Sequence, residues 1–453
     1  INLSGISGGD IKLQGNLTDN GTFNANSRDI FFEGSNVQDI TGSGTFDIPF
    51  VRINKSGGSV RLLADLTCVG VNGANAMEIE GTTSILDLNG RTLNLGAASN
   101  SSTYNNGIVT AGFIKGSSTS TMVVLGTGTL GTILFDQTNA ASQTLGTLTI
   151  NRTSTGVVAL GNNLTVSTAL TLTDGAFNLG TNTLTINGST ARTTGSVGAS
   201  TGTVTFNGGS AQSVVASIFT GNAVANLNIP NANGVTFNGS AAVSSTMTVN
   251  GLFTPVAAAV ISGAGTVSGT GTIQVTRAIG TTDLTNQYSL TRTLTNLTTE
   301  YIGAAAQGVT GITFGGLKIS NSNGVNMAGD VTVGAGLNLN TGNLTINANI
   351  LTLNGAVSRT SGNLTGSNTS NLVIAGTAGT IFFNGNYTNT NNYLKNLTIN
   401  NGASATLGDS LNITGGTAPN TEGTLTVTGT GVLTTGGFLT IKSNEFGTAR
   451  IAA

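Results

Sequence analysis

One spacing governs this chain. Residues 160–188 read LGNNLTVSTALTLTDGAFNLGTNTLTING, and 329–355 read GDVTVGAGLNLNTGNLTINANILTLNG. Apolar residues come in pairs two apart: Leu164/Val166, Leu170/Leu172, Phe177/Leu179, Leu184/Ile186. That spacing puts both members on one face of a strand, and β-branched Thr between them favours the same state. Successive pairs start six or seven positions apart, so each unit is a short strand and a turn. Three units carry Leu164 to Leu184, and three more carry Val331 over the same separation to Leu351. Three strands per circuit of about 20 residues predict an all-β, elongated, three-sided parallel β-solenoid (β-helix), with right-handed winding the usual hand for large ones. Inward residues would stack from coil to coil while outward Thr and Asn face water.

A coarser repeat lies on the coils. LTI at 148–150, LNI at 227–229, LKI at 317–319 and LTI at 397–399 are expected in equivalent places, with VRI at 51–53 before them. The chain then reads as one continuous solenoid over 1–453. Its approximate repeats are 31–130, 131–202, 203–300, 301–379 and 380–453, with 1–30 the tail of a preceding one. At about 20 residues per coil this gives about 22 coils and, at one strand spacing each, a rod roughly 100 Å long. Asn-Gly at 72–73, 89–90, 187–188, 207–208, 238–239 and 354–355 suits tight corners, because both residues tolerate positive φ. Asparagines at such corners can also stack in ladders. A string of five Ig-like sandwiches is the competing architecture. It wants longer strands and often a buried Trp, and this chain has no Trp.

Composition narrows the function classes. Hydrophobic residues make up 38% and recur in order, which argues against disorder despite 67 Gly and 8% charge. A net charge of −2 without a basic face argues against nucleic-acid binding. No apolar run is long enough to span a bilayer, so no membrane insertion by helix is expected. Cys68, in ADLTCVGV, is expected to point inward as a small hydrophobe. The start at Ile1, without a leader pattern, suggests a mature chain or a fragment.

A second motif opens the repeats. FFEGSNVQDITGSGTF (31–46) and EYIGAAAQGVTGITF (300–314) share Gly-x3-Gln-x3-Gly: Gly34, Gln38, Gly42 and Gly303, Gln307, Gly311. FNGGSAQSVV keeps Gly208 and Gln212; the repeat at 135–150 keeps Gln143 without the glycine spacing. FNGNYTNTNNYLKNLTI (383–399) keeps only the opening and the LxI. Each glutamine is expected to fix a turn by bonding backbone groups. This motif, followed by LxIxNxxGVxL, LTVxxxLxL and LTLxG, resembles the repeats of very large cell-surface proteins of Bacteroidetes. The ending FLTIKSNEFGTARIAA is similar to repeat endings in that group. Its members are typically exported by the type IX secretion system and include giant adhesins of gliding bacteria. The resemblance implies an extracellular, cell-surface structural or adhesive role. The implied partners are further repeats of a parent chain, surface or secretion machinery, and surface glycans.

Little in the sequence carries chemistry. Without histidine the Ser-His-Asp and Cys-His arrangements cannot form, and one Cys cannot build a structural zinc site. No phosphate loop is present, and SGGD at 7–10 is a single partial match to a calcium nonapeptide. Glycoside hydrolysis needs two carboxylates at a cleft. Asp87 and the pair Glu78/Glu80 are the densest acids, expected on a solvated outer face with Ile79 inward. RAIGTTDLTNQYSLTRTLTNLTTEYI (277–302) breaks the pattern. It concentrates Arg277, Asp283, Tyr288, Arg292, Glu300 and Tyr301, and reads as a long joining loop able to bulge toward a ligand. Thr183/Thr185 and Thr203/Thr205 form a short hydroxyl array that should stop near 222–227. The sequence therefore assigns no catalytic residue, metal ligand or cofactor, and leaves ligand-binding residues unidentified. The leading expectation is a non-enzymatic stalk or adhesin segment. The alternative is a β-helical polysaccharide-binding or polysaccharide-degrading module.

Overall fold

Leu164 pairs with Leu184, and Leu184 with Val204, at equal steps along the chain. Val166, Ile186 and Phe206 stack beside them, and Thr165, Thr185 and Thr205 line the opposite face. The inward six are at most 1% exposed. The apolar pairs thus form the core, and the residues between them face out. The computed structural model describes residues 9–23, 25–384, 390–415, 421–443 and 447–452. The SGGD match at 7–10, the segment 383–399 and the C-terminal ending each fall partly outside these.

The protein is all-β, 56% strand and 2% helix, with long parallel sheets, as a β-solenoid requires. It divides into two compact units, Ile1–Ser245 and Thr246–Ala453. The first unit begins by visiting three parallel sheets in turn. Ile11–Leu13, Asp29–Gly34, Phe50–Lys55, Asn75–Glu80 and Thr103–Tyr104 form one. Leu17–Thr18, Gln38–Thr41, Val60–Leu62, Ile85–Asp87 and Phe113–Lys115 form the next, and Asp47–Ile48, Leu66–Cys68 and Thr92–Leu95 open a third. In the second unit one ladder runs Val331, Leu351, Leu372, Leu397, Leu425, Ile451. An asparagine pair follows it: Asn371 and Asn396 are register partners, and the Asn396 amide donates to Asn371 Oδ1 at 2.7 Å.

Three expectations need correction. The short step holds only in stretches such as 164–204. Leu66 pairs with Leu93 and Leu93 with Met122, and both steps are longer than the one from Leu164 to Leu184. Longer corners absorb the difference, so a count of about 22 coils, which assumes the short step throughout, is too high. The LxI copies are not in equivalent places either. Leu148–Ile150 pairs with Leu170–Leu172, whereas Leu227 joins the ladder of Leu164, Leu184 and Val204. In the second unit Leu317 pairs with Leu337, while Leu397 belongs to the ladder of Leu372 and Leu351. Each sequence repeat is out of phase with the coil, so successive copies fall in different ladders.

The third correction concerns Asn-Gly. At 89–90 both residues do take positive φ, 47° and 79°. At 187–188 and 354–355 the glycine does not; it is needed for close approach. A Cβ on Gly188 would lie 2.0 Å from Thr168 O, and one on Gly355 1.8 Å from Ala335 O. In both cases the neighbour is the corner one coil earlier, so glycine lets one coil settle onto the last.

Because Leu184 is fully buried between two coils, Leu184→Ala should destabilise the protein by about 2–5 kcal/mol. Thr185→Ala, at the next position on the outer face, should stay within about 0.5 kcal/mol of the parent. Denaturant unfolding of the two variants checks this, and equal effects would refute the inward–outward assignment.

Candidate functional site

Gln38, Gln212 and Gln307 sit at 0–7% exposure and act as backbone staples. Gln307 Nε2 donates to Val275 O at 2.8 Å and Arg277 O at 2.7 Å, on the preceding coil. Its Oε1 accepts Gly303 N at 2.7 Å from its own turn and Asn321 Nδ2 at 2.9 Å from beyond it. Gln212 repeats the arrangement with Ile186 O, Gly188 O, Gly208 N and Asn231 Nδ2. The Gly-x3-Gln spacing follows from packing. A Cβ on Gly303 would lie 2.6 Å from Gln307 Cδ, and one on Gly208 2.8 Å from Gln212 Cδ.

The first copy differs. Gln38 still bonds Leu13 O and Gly15 O, both at 2.9 Å, but its Oε1 accepts Lys55 Nζ. Lys55 is 2% exposed, and burial pulls its pKa below the ordinary lysine value. Gly34 here serves a positive φ of 95°, not space for an amide. Gln143, which lacks the glycine spacing, leaves its Oε1 buried without a partner among the described residues.

These partners expose residues that sequence reasoning missed. Lys55 after VRI, and Arg152, Asn231 and Asn321 after LxI copies, each stand two positions after the Ile and are at most 2% exposed, whereas Asn401 after the last LxI copy is exposed. The period of two that turns Leu and Ile inward turns this third residue inward in those four as well. Arg152 has no carboxylate partner among the described residues. It donates to the carbonyls of Leu125, Ser102 and Gly128 at 2.7, 2.9 and 2.8 Å, and to that of Thr127. Burial lowers its pKa from the ordinary arginine value.

The acids singled out from sequence are placed in alternating ladders. Asp39, Arg61, Asp87 and Lys115 are successive register partners. Arg61 forks onto Asp39 at 2.8 and 3.1 Å, and Lys115 reaches Asp87 at 2.8 Å. On the neighbouring sheet Ile79 is buried and Glu78 and Glu80 face out. Arg52 bonds Glu80 and lies 3.5 Å from Glu78. Arg52 also stands 5.4 Å from the Phe31 ring centre, and Lys12 stands 5.8 Å from it. Each of these acids is engaged by a base, unlike the poised acid–base pair that glycoside hydrolysis uses. Cys68 is fully buried, and burial pushes its thiol pKa far up, so it packs as a small hydrophobe.

The segment 277–302 folds inward; it does not bulge out. A short helix, Asp283–Gln287, lies within it, and Asp283, Gln287, Tyr288 and Tyr301 are all 0% exposed. Asp283 accepts Ile279 N at 2.7 Å, Gly280 N at 3.2 Å and Gly308 N at 2.7 Å. Gln287 accepts Thr276 N and Arg277 N, and Tyr288 OH donates to Gln274 O at 2.8 Å. Arg292 donates to the Tyr288 and Leu290 carbonyls. The polar density exists because an irregular backbone packed against a core must have its N–H and C=O groups bonded. Glu300 is 6% exposed and takes Lys318 at 2.9 Å, Ser320 at 2.6 Å and Gln274 at 2.7 Å. Burial acts to raise its pKa, but those three hydrogen bonds and the Lys318 charge outweigh it, leaving the carboxyl below its ordinary value.

Clefts of mixed polarity open on the surface of the first unit. In the first unit a groove of about 890 Å³ runs past Ser167, Asn187, Ser189 and Ser213. A cleft of about 510 Å³ lies between the loop Asn105–Ala111 and residues Thr129–Leu134. The threonine array stops as expected, Thr203 and Thr205 meeting Asn226 and Asn228. Among the described residues no group of three or more His, Cys, Asp or Glu side chains is placed to hold a metal ion. No helix among them is long and apolar enough to cross a membrane. Protein-family models, curated proteins and solved structures give no match to the chain.

Replacing Gln307 by Leu strands the Arg277 carbonyl and the Gly303 N–H, each costing about 1–3 kcal/mol when buried and unpaired, while the Val275 carbonyl keeps the Ile302 N–H and the Asn321 amide keeps the Ala305 carbonyl. Gln307→Leu should therefore lower stability by about 2 kcal/mol or more. Gln307→Glu should also destabilise, because a carboxylate cannot donate to Val275 and Arg277. Equilibrium unfolding reads both, and a near-neutral Gln307→Leu would refute the staple.

The lowered Glu300 pKa makes a second prediction with a definite sign. A depressed carboxyl contributes stability above its unfolded pKa, near the ordinary 4.5, and loses it as pH falls through the folded value. The stability gap between the parent and Glu300→Gln should be constant at neutral pH and shrink below about pH 4.5. Unfolding curves at several pH values test this; a gap that widens in acid would contradict it.

Proposed function

We propose that this chain is a non-enzymatic structural and adhesive stalk segment of a very large bacterial surface protein. In this reading each unit is part of a three-sided, right-handed solenoid that spans distance outside the cell. Export by a type IX system and a role in adhesion or gliding motility belong to the same reading. They rest on the resemblance of the repeat wording to Bacteroidetes surface proteins.

One observation carries the mechanical part. Within each unit the coils are joined by in-register parallel ladders, and the buried polar side chains mostly bond backbone, not one another. Such a chain resists extension coil by coil, because each coil contacts chiefly its neighbours. Low charge and the absence of histidine leave little in it that titrates near neutral pH.

Pulling the whole chain by its ends tests the proposal. Each coil released should add roughly 70–100 Å of contour, the reach of one short or one long circuit at about 3.3–3.6 Å per position. Collapse of each unit in one event, or extension without resistance, would count against a stalk. Release of reducing sugar from an acidic polysaccharide would instead favour the β-helical polysaccharide-degrading alternative.

A further inference from the structure

A cleft of about 370 Å³ opens in the first unit where Asp29 and Phe50 adjoin the turn at Val71–Ala74. One wall is apolar: Pro49, Phe50 and Val71, the last 46% exposed. The lining also carries Asp29, Glu78 and Asn75. Asp29 and Phe50 are register partners on the outward face, which sets a carboxylate beside an aromatic ring.

The two acids differ. Glu78 is engaged by the Asn75 amide and lies 3.5 Å from Arg52. The Asp29 carboxylate has no side-chain hydrogen bond or ion pair among the described residues, although its backbone N–H donates to Asp10 at 3.2 Å. Burial first, then the charges of Asp10 and Glu78, raise its pKa; Arg28 and Arg52 act the other way. The cleft therefore holds a negative charge its surroundings disfavour, and a cation entering beside Asp29 would relieve it. An ammonium there would also meet the Phe50 ring, much as Lys12 and Arg52 flank Phe31. The volume is near the lower end for ligand sites and suits one sugar ring or a body of that size.

We propose that this cleft binds a protonated primary amine carried on a compact ring, the chemistry of an unacetylated amino sugar. The ring's apolar face would lie on Phe50, Pro49 and Val71, and the ammonium would take Asp29. The inference is independent of the stalk reading, since a stalk without a sugar site would still pull out coil by coil.

The test titrates the whole chain with glucosamine, with a short glucosamine oligomer, and with the N-acetylated oligomer, followed by calorimetry and amide NMR. The amine-bearing ligands should bind, with acetylation weakening the affinity at least tenfold. Binding of the oligomer alone would identify a polymer as the source; binding of both would admit the free sugar. Asp29→Asn should show the same tenfold loss at unchanged or higher melting temperature, because it removes an unpaired, crowded charge. Phe50→Leu should weaken binding less. Equal affinity for the acetylated oligomer, full binding by Asp29→Asn, or no binding of any amine-bearing ligand would overturn the proposal.

Discussion

The structure depends on one constraint: each coil must present to the next a backbone edge and an inward side chain in register. Parallel pairing satisfies the backbone of both coils at once, and it places like on like, as at Leu164, Leu184 and Val204. A slip by a single position would turn every inward Leu to solvent, so burial itself fixes the register. The corners are where this becomes difficult. Adjacent coils approach so closely there that Gly188 and Gly355 have no room for a Cβ. Part of the glycine that makes the sequence look featureless is imposed by that approach.

A continuous apolar interior would be enough if every corner were alike, and they are not. Where a coil lengthens, as from Leu66 to Leu93 or from Leu93 to Met122, backbone groups leave the ladder and must be bonded some other way. Gln212 and Gln307 do this by reaching across a corner, and Asp283 and Gln287 do it along an irregular stretch. Arg152 goes furthest, a buried guanidinium shared among four carbonyls with no acid to balance it among the described residues. Such a group is costly to bury, and its bonds to backbone dipoles offset that cost. These side chains hold irregular corners at the spacing that the regular coils require.

Fold class was legible because its signal is short-range: a spacing of two, Thr between, and the return from Leu164 to Leu184 all lie within one window of sequence. The staples were half legible. Gly-x3-Gln marks Gln212 and Gln307, but the inward position two after Ile holds Lys55, Arg152 or Asn, and no residue type flags it. Coil length and the phase of the coarse repeat were not legible, since both depend on which corner each insertion enters. The segment 277–302 misled for a physical reason. Polar and aromatic density marks an exposed binding loop and a buried irregular backbone equally well, and only burial separates them. Asp29 and Phe50 share a cleft because strands a full coil apart are register neighbours, which no local pattern reports.

The charged residues show how the same geometry limits chemistry. A parallel ladder places every outward residue beside its counterparts one coil away, so a lone charge would face whatever the repeat supplies there. Asp39, Arg61, Asp87 and Lys115 alternate in sign along one ladder, and Gln274, Glu300 and Lys318 alternate donor and acceptor along another. Exposed pairs of this kind add little stability individually. Like charges in the same places would repel at strand spacing in every coil, so alternation is what lets acids occupy a ladder at all. Asp29 stands outside this scheme. Its register partner is Phe50, its near charges include two acids, and its carboxylate is left with unmet demand at the mouth of a cleft. There an external cation would meet a carboxylate that no base in the ladder engages, beside the Phe50 ring.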